Sequence, residues 1–89
     1  MVLVRGGKLP ATDAAPSIFY ALGSACTGTT GTTGRTLTLS GVANSEMVLV
    51  QGAILFPSDY SKATVANQSV LTFQTKVYDQ FQIYVYYWR

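Results

Sequence analysis

The chain has few side chains that could do acid–base or nucleophilic chemistry. It contains no histidine, and its acidic residues are Asp13, Glu46, Asp59 and Asp79. General acid–base catalysis would have to use these carboxyl groups, yet no two of them form a recognisable motif. The lone cysteine, Cys26, has no histidine to act as its base. We therefore expect a protein that is not an enzyme, with Asp59 and Asp79 in turns and Glu46 at the flank of a strand.

Ligands for metals, cofactors and nucleic acids are equally scarce. One cysteine, no histidine and no acidic cluster supply neither a zinc ligand set nor a calcium loop. The Gly/Thr-rich tract 23–34 lacks the Gly-Lys-Ser/Thr that closes a phosphate-binding loop. The six basic residues are scattered and the net charge is only +2, unlike the basic stripe of a nucleic-acid-binding protein. We expect no metal, no cofactor and no nucleic-acid partner.

The residues best suited to recognition are the aromatic side chains of segment 82–88. Successive side chains of a strand point to opposite faces. The two predicted faces are Ile83, Val85 and Tyr87, and Tyr84, Tyr86 and Trp88. A chain this small can bury one face in its own core, so the other must cover something else. We assign Tyr84, Tyr86 and Trp88, with Tyr60 and Tyr78 nearby, either to packing in a core or subunit interface or to a platform for sugar rings.

Composition points to a surface that neighbours cover. Charged residues make up 11% of the chain, whereas soluble domains carry about 25%. So few charges favour an oligomer or a shell, and the alternative is a neutral surface rich in Ser and Thr. The single cysteine permits no disulfide within the chain. No signal peptide or transmembrane span is recognisable, so we expect synthesis in a cytoplasm and no membrane partner.

The chain from residue 36 onward has the period of β-strands. Polar and apolar residues alternate in 36–39 and again in 69–73, and Gln51-Gly52 and Pro57 mark strand ends. Turn signals recur about every eight to twelve residues, and no segment has a helical period. We predict an all-β fold, a small antiparallel β-sandwich or partly open barrel with an extended N-terminal arm. Its expected core consists of Leu37, Leu39, Val48, Val50, Leu71, Phe73, Ile83 and Val85.

The first 35 residues differ from the rest. Two apolar bursts, 2–4 and 18–22, are followed by the Gly/Thr-rich tract, which has no periodic apolar face. We predict an N-terminal arm and Gly/Thr-rich loop over 1–35 and a β-sandwich domain over 36–89. An arm of this kind can add a strand to the sheet edge of a neighbouring subunit. The expected arm contacts are Val2, Leu3, Val4, Ile18, Phe19 and Tyr20.

Six segments of the β-domain follow one another in a characteristic order. They are Leu37-Thr38-Leu39-Ser40-Gly41, Val48-Leu49-Val50-Gln51-Gly52, Ile54-Leu55, Pro57-Ser58-Asp59-Tyr60, Val70-Leu71-Thr72-Phe73 and Ile83-Tyr84-Val85-Tyr86-Tyr87. This order resembles a small β-domain that recurs in tail fibres and other virion proteins of tailed bacteriophages. That family usually has Asn before the glycine of the second segment, where this chain has Gln51.

The resemblance implies a non-enzymatic structural protein of a virus particle. A capsid-decoration protein, a head fibre and a tail component all fit it, and the short chain favours decoration. It also implies a virion location, self-association, by analogy with viral appendages as a trimer, and contact with other virion proteins such as the major capsid protein. The alternative function is a carbohydrate-binding module that recognises a host surface glycan.

Overall fold

A computed structural model of the chain describes residues 15–89, and these form two antiparallel β-sheets packed face to face. The strands are β1 (Ser17–Leu22), β2 (Thr36–Thr38), β3 (Ser45–Val50), β4 (Ala53–Ile54), β5 (Tyr60–Val65), β6 (Gln68–Phe73) and β7 (Gln82–Trp88). There are two short 3-10 helices: Gly23–Ala25 lies directly after β1, and Pro57–Asp59 lies directly before β5. The predicted all-β sandwich is confirmed, and the sheets do not close into a barrel.

The alternation of β7 produces the core as predicted. Ile83, Val85 and Tyr87 are almost completely buried between the sheets, while Tyr84 on the other face is exposed. Seven of the eight predicted core residues are fully buried, and Val50 is half-buried against the same cluster. The buried apolar residues are Ala21, Cys26, Leu37, Leu39, Ala43, Val48, Tyr60, Leu71, Phe73, Val77, Ile83, Val85 and Tyr87.

The first strand and the last strand of the described chain are neighbours. The sheet orders are β1-β7-β3-β4 and β2-β6-β5. Strand β1 pairs with β7 from Ser17↔Tyr87 to Leu22↔Gln82. Residues 17–22 therefore belong to the sandwich, whereas the sequence assigned Ile18, Phe19 and Tyr20 to an arm.

The reason for this difference is that β1 has the same two-residue period as β7. Ala21 is buried in the core and Phe19 packs against it, while Ile18 and Tyr20 point outward. The boundary predicted at residue 35 consequently does not coincide with an edge of the sheet. The other expected arm contacts, Val2, Leu3 and Val4, lie outside the described residues.

Both two-residue hairpins use left-handed backbone conformations. In the β3–β4 turn, φ is 55° at Gln51 and 81° at Gly52, as a type I′ turn requires. The side-chain Oε1 of Gln51 also accepts a hydrogen bond from the backbone N–H of Gln82, at 2.5 Å. The side chain of Gln51 thus reaches from the turn to the neighbouring strand β7.

The β5–β6 turn was not predicted, because its sequence carries no glycine. Ala66 has φ of 53° and Asn67 has φ of 64°. Left-handed backbone costs an L-residue other than glycine about 1–2 kcal/mol. The hairpin is held instead by the pairing of β5 with β6 over six residue pairs.

Ala66→Gly is expected to stabilise the protein by about 0.5–1 kcal/mol, because glycine removes the left-handed strain at this position. For a domain of this size that corresponds to a rise of about 2–8 °C in the melting temperature, measured by thermal unfolding. The matched control is Gly52→Ala, where an added Cβ has no neighbour within 4 Å. That variant should lose a similar amount, and a gain there would contradict the argument.

Candidate functional site

The outward surface of the four-stranded sheet is an apolar face. The registers of β1, β7, β3 and β4 place nine apolar side chains on the side opposite the core. They are Ile18, Tyr20 and Leu22 of β1, Tyr84, Tyr86 and Trp88 of β7, Met47 and Leu49 of β3, and Ile54 of β4. We call these nine residues the outer face. The polar residues on the same side of the sheet, Gln82 and Ser45, lie at its two ends, and no residue of the outer face is charged.

Rows of directly opposite residues build the outer face. Tyr86 lies between Ile18 and Met47, and Tyr84 lies between Tyr20 and Leu49. The Tyr20 and Tyr84 rings have centroids 4.7 Å apart and are tilted by 45°, a favourable arrangement for aromatic pairs. Ile18 is nevertheless 62% exposed and Tyr20 47% exposed, so the rows leave a substantial part of this apolar surface in water, although Leu49, Tyr86 and Trp88 are half-buried.

The shape and size of the outer face suit a macromolecular contact. Residues 15–89 form no pocket that would enclose a small ligand. Three strands of six or seven residues about 4.8 Å apart, with the two-residue β4 at one edge, span a plane of roughly 300 Å². Patches of this size are among the largest apolar areas on monomeric proteins and are often functional. The outer face therefore has the extent of a docking surface, and it carries no charged residue.

The structure brings three of the five predicted recognition aromatics together. Tyr84, Tyr86 and Trp88 lie on the outer face as expected, but Tyr60 and Tyr78 do not. Tyr60 begins β5 in the other sheet and is buried in the core. Tyr78 lies in the loop before β7, with its ring over Gly31 and 5.2 Å from the ring centroid of Phe81.

Tyr60 links the two sheets instead of contacting a ligand. Its hydroxyl donates to Glu46 Oε2 at 2.7 Å, and Lys62 Nζ donates to Glu46 Oε1 at 2.7 Å. Burial raises the pKa of Tyr60, and the hydrogen bond to the Glu46 carboxylate raises it further. Glu46 was expected to be a solvated strand flank, but its side chain is only 12% exposed because it carries both contacts.

Six members of the outer face were not predicted as part of one surface. Ile18 and Tyr20 were assigned to an arm, and Leu22, Met47, Leu49 and Ile54 were not singled out. A signal was present for the five residues in β1 and β3, each of which alternates with a buried or half-buried neighbour in its own strand, but not for Ile54, whose neighbour in β4 is exposed. The sequence does not show that β1 and β3 flank β7, which is what joins the three stripes.

A second cluster fastens the Gly/Thr-rich tract. Arg35 is 2% exposed, and its guanidinium donates to the backbone carbonyls of Thr27 (2.8 Å), Val77 (2.7 Å) and Cys26 (3.3 Å). It also donates to Asp79 Oδ1 at 2.8 Å. Burial raises the pKa of the nearby Cys26 thiol. Because the Arg35 guanidinium donates to backbone carbonyls of two loops, we assign it a structural role.

Two further observations concern other kinds of site. Within residues 15–89, no three His, Cys, Asp or Glu side chains lie close enough together to hold a metal ion. No helix in the described part of the chain has the length and apolar character needed to cross a membrane.

Comparisons with known proteins add no relatives to this picture. A scan against family models, a search of curated proteins and a search of solved structures each find no match to the chain.

Proposed function

We propose that the protein is a non-enzymatic structural component of a virus particle, which acts by self-association and by docking to other virion proteins. The observation that carries this proposal is the uncharged outer face, which leaves nine apolar side chains on one side of a small sandwich. Leaving apolar surface in water is less favourable than burying it by about 25 cal/mol per Å². Covering it with another protein is therefore favourable.

The positions of the charged side chains strengthen this argument. Arg35 is buried, and the ion pair of Glu46 with Lys62 spans the two sheets. Among the charged residues of 15–89, Arg35 is thus buried and Glu46 is largely so, and fewer of these residues face solvent than the composition indicates.

The virion assignment rests on the resemblance of segments 37–87 to the phage β-domain. Within it, a role in capsid decoration suits a small sandwich whose apolar sheet docks on a larger shell, such as one formed by the major capsid protein. Residues 1–14, with Val2, Leu3 and Val4, would serve as the arm that contacts neighbouring subunits. Sugar recognition draws less support, because residues 15–89 form no pocket that would hold a sugar ring.

Met47→Lys should weaken self-association at least ten-fold, because it places a charge in the middle of the outer face at a position that is already 37% exposed. Native mass spectrometry and light scattering at several concentrations measure the effect. The control is Ala63→Lys, an exposed position in the other sheet, which should leave the assembled mass unchanged.

Three outcomes would count against the proposal. One is an assembled mass that Met47→Lys does not alter. Another is the absence of the chain from purified particles of the virus that carries its gene, analysed by mass spectrometry. The third is glycan-array binding that Trp88→Ala abolishes while the assembled mass stays constant, which would favour carbohydrate recognition instead.

A further inference from the structure

The four sheet edges of the described chain differ in how they are protected. Strand β4 has two residues. Strand β2 is partly covered, since the backbone N–H of Thr27 donates to the carbonyl of Thr36 at 2.9 Å. Strand β5 carries Lys62, and a charged residue is a common guard of an edge. Strand β1 has six residues, no charge and no proline, and within residues 15–89 no strand lies on its far side.

The register shows which backbone groups of β1 face this edge. The N–H of Gly23 donates to the carbonyl of Phe81 at 2.7 Å and continues the pairing of β1 with β7. Hydrogen-bonded and non-hydrogen-bonded pairs alternate along an antiparallel ladder. The odd positions of β1 therefore bond to β7, and Ile18, Tyr20 and Leu22 direct their N–H and C=O groups away from it.

A contact on the other side of β7 supports the same assignment. The N–H of Gln51 in the β3–β4 turn donates to the carbonyl of Gln82 at 2.8 Å. Even positions of β7 thus bond toward β3 and odd positions bond toward β1. The exposed edge of β1 consequently offers three donors and three acceptors from uncharged residues of high strand preference.

We propose that β1 pairs antiparallel with β1 of a second copy, about a two-fold axis at Tyr20. This register matches Tyr20 with itself and Ile18 with Leu22 of the other copy. All six outward backbone groups of each strand are then satisfied, through six hydrogen bonds in total. A register shifted by two residues, with the axis at Phe19, pairs only Ile18 with Tyr20 and forms four.

A second copy suits this edge better than an unrelated strand for two reasons. A two-fold contact brings the same residues together, and β1 has no charges that would repel one another. The register also keeps outer-face residues opposite outer-face residues, so two sheets of four strands join into one of eight with a continuous apolar face. The inference rests on the proposed self-association, and it makes the basic unit a dimer in place of the expected trimer. The outer face then joins such dimers to one another or to the shell, so Met47→Lys should reduce the assembly to the dimer, whereas loss of the β1 edge should remove the dimer itself.

Single cysteine variants test the register. Across the proposed axis, two Tyr20 Cα atoms would lie about 5.5 Å apart, within the range that a disulfide spans. Two Ile18 Cα atoms would be four residues out of step, or about 13 Å apart. Under mild oxidation Tyr20→Cys should give at least ten times more cross-linked dimer on a non-reducing gel than Ile18→Cys. The wild-type chain is the background control, because its Cys26 is buried.

A proline variant tests the backbone pairing directly. Tyr20→Pro removes an N–H that β7 does not use, so the monomer should keep its circular dichroism spectrum while the dimer is lost. Tyr20→Thr retains the N–H and should remain dimeric. Both variants are compared by light scattering at the same concentration.

The outcomes separate this inference from the proposed function. An oligomer in which Ile18→Cys cross-links as well as Tyr20→Cys, or in which Tyr20→Pro stays assembled, overturns the edge pairing and leaves self-association standing. A wild-type chain that is monomeric and a Tyr20→Cys variant that does not cross-link overturn both. Cross-linking that appears only after deletion of residues 1–14 overturns the edge pairing for the full chain and assigns the edge to the arm.

Discussion

An Arg35→Ala variant is expected to lose about 3 kcal/mol or more of unfolding free energy. Removal of the guanidinium leaves the carbonyls of Cys26 and Thr27 without this donor at a buried or part-buried position, and leaves the carbonyl of Val77 with the N–H of Gly31 alone. Each unsatisfied buried group costs about 1–3 kcal/mol. For a domain of this size the loss corresponds to a fall of about 12–24 °C in the melting temperature, measured by calorimetry or circular dichroism.

The control for this prediction removes the carboxylate partner and keeps the guanidinium. The side chain of Asp79 is 52% exposed, and exposed ion pairs contribute about 0–1 kcal/mol. Asp79→Asn should therefore lower the melting temperature by only a few degrees. Equal losses for Arg35→Ala and Asp79→Asn would show that the ion pair matters and the carbonyl contacts do not.

The cluster at Arg35 also explains why a tract rich in Gly and Thr can lie inside a small domain. The N–H of Gly31 donates to the carbonyl of Val77 at 2.8 Å, and Thr32 forms an isolated bridge with Val77. Composition alone predicts a loose connection, because none of these residues supplies an apolar face. The tract is held in place by one buried side chain and by backbone hydrogen bonds. Neither produces a periodic pattern of apolar residues in the sequence.

Local patterns were sufficient for much of the fold. The alternation in β7 predicted both of its faces, with Val85 buried and Tyr84 exposed. The Gln51-Gly52 pair predicted the β3–β4 hairpin, because glycine adopts left-handed backbone conformations at little cost wherever it stands in a chain. These predictions depend on neighbours in the chain, which the sequence displays directly.

The pairing of β1 with β7 could not be predicted in the same way. The two strands are about sixty residues apart in the chain, and an apolar burst bounded by Pro16 and Gly23 fits an arm as well as an edge strand. Tyr60 illustrates the same limit, because its burial depends on Glu46 in the opposite sheet. For this reason the sequence predicted only the part of the outer face that lies on β7.

Gly23→Ala is the second substitution with a large expected effect, a loss of about 3 kcal/mol of unfolding free energy. A Cβ at Gly23 would lie 1.9 Å from the carbonyl oxygen of Tyr78 and 2.9 Å from its carbonyl carbon. Both atoms belong to the backbone, so no side chain can rotate away. The end of β1 or the loop before β7 would have to shift, and overpacking of this kind costs about 1–3 kcal/mol or more.

The shift would also break the hydrogen bond from the N–H of Gly23 to the carbonyl of Phe81, which closes the β1–β7 ladder. The matched control is Gly34→Ala, because Gly34 has φ of 80° but no atom within 4 Å of an added Cβ. Its expected loss is the conformational cost alone, about 1–2 kcal/mol. Chemical unfolding of both variants decides between the two causes: if Gly34→Ala loses as much as Gly23→Ala, the close approach to Tyr78 is not what position 23 requires.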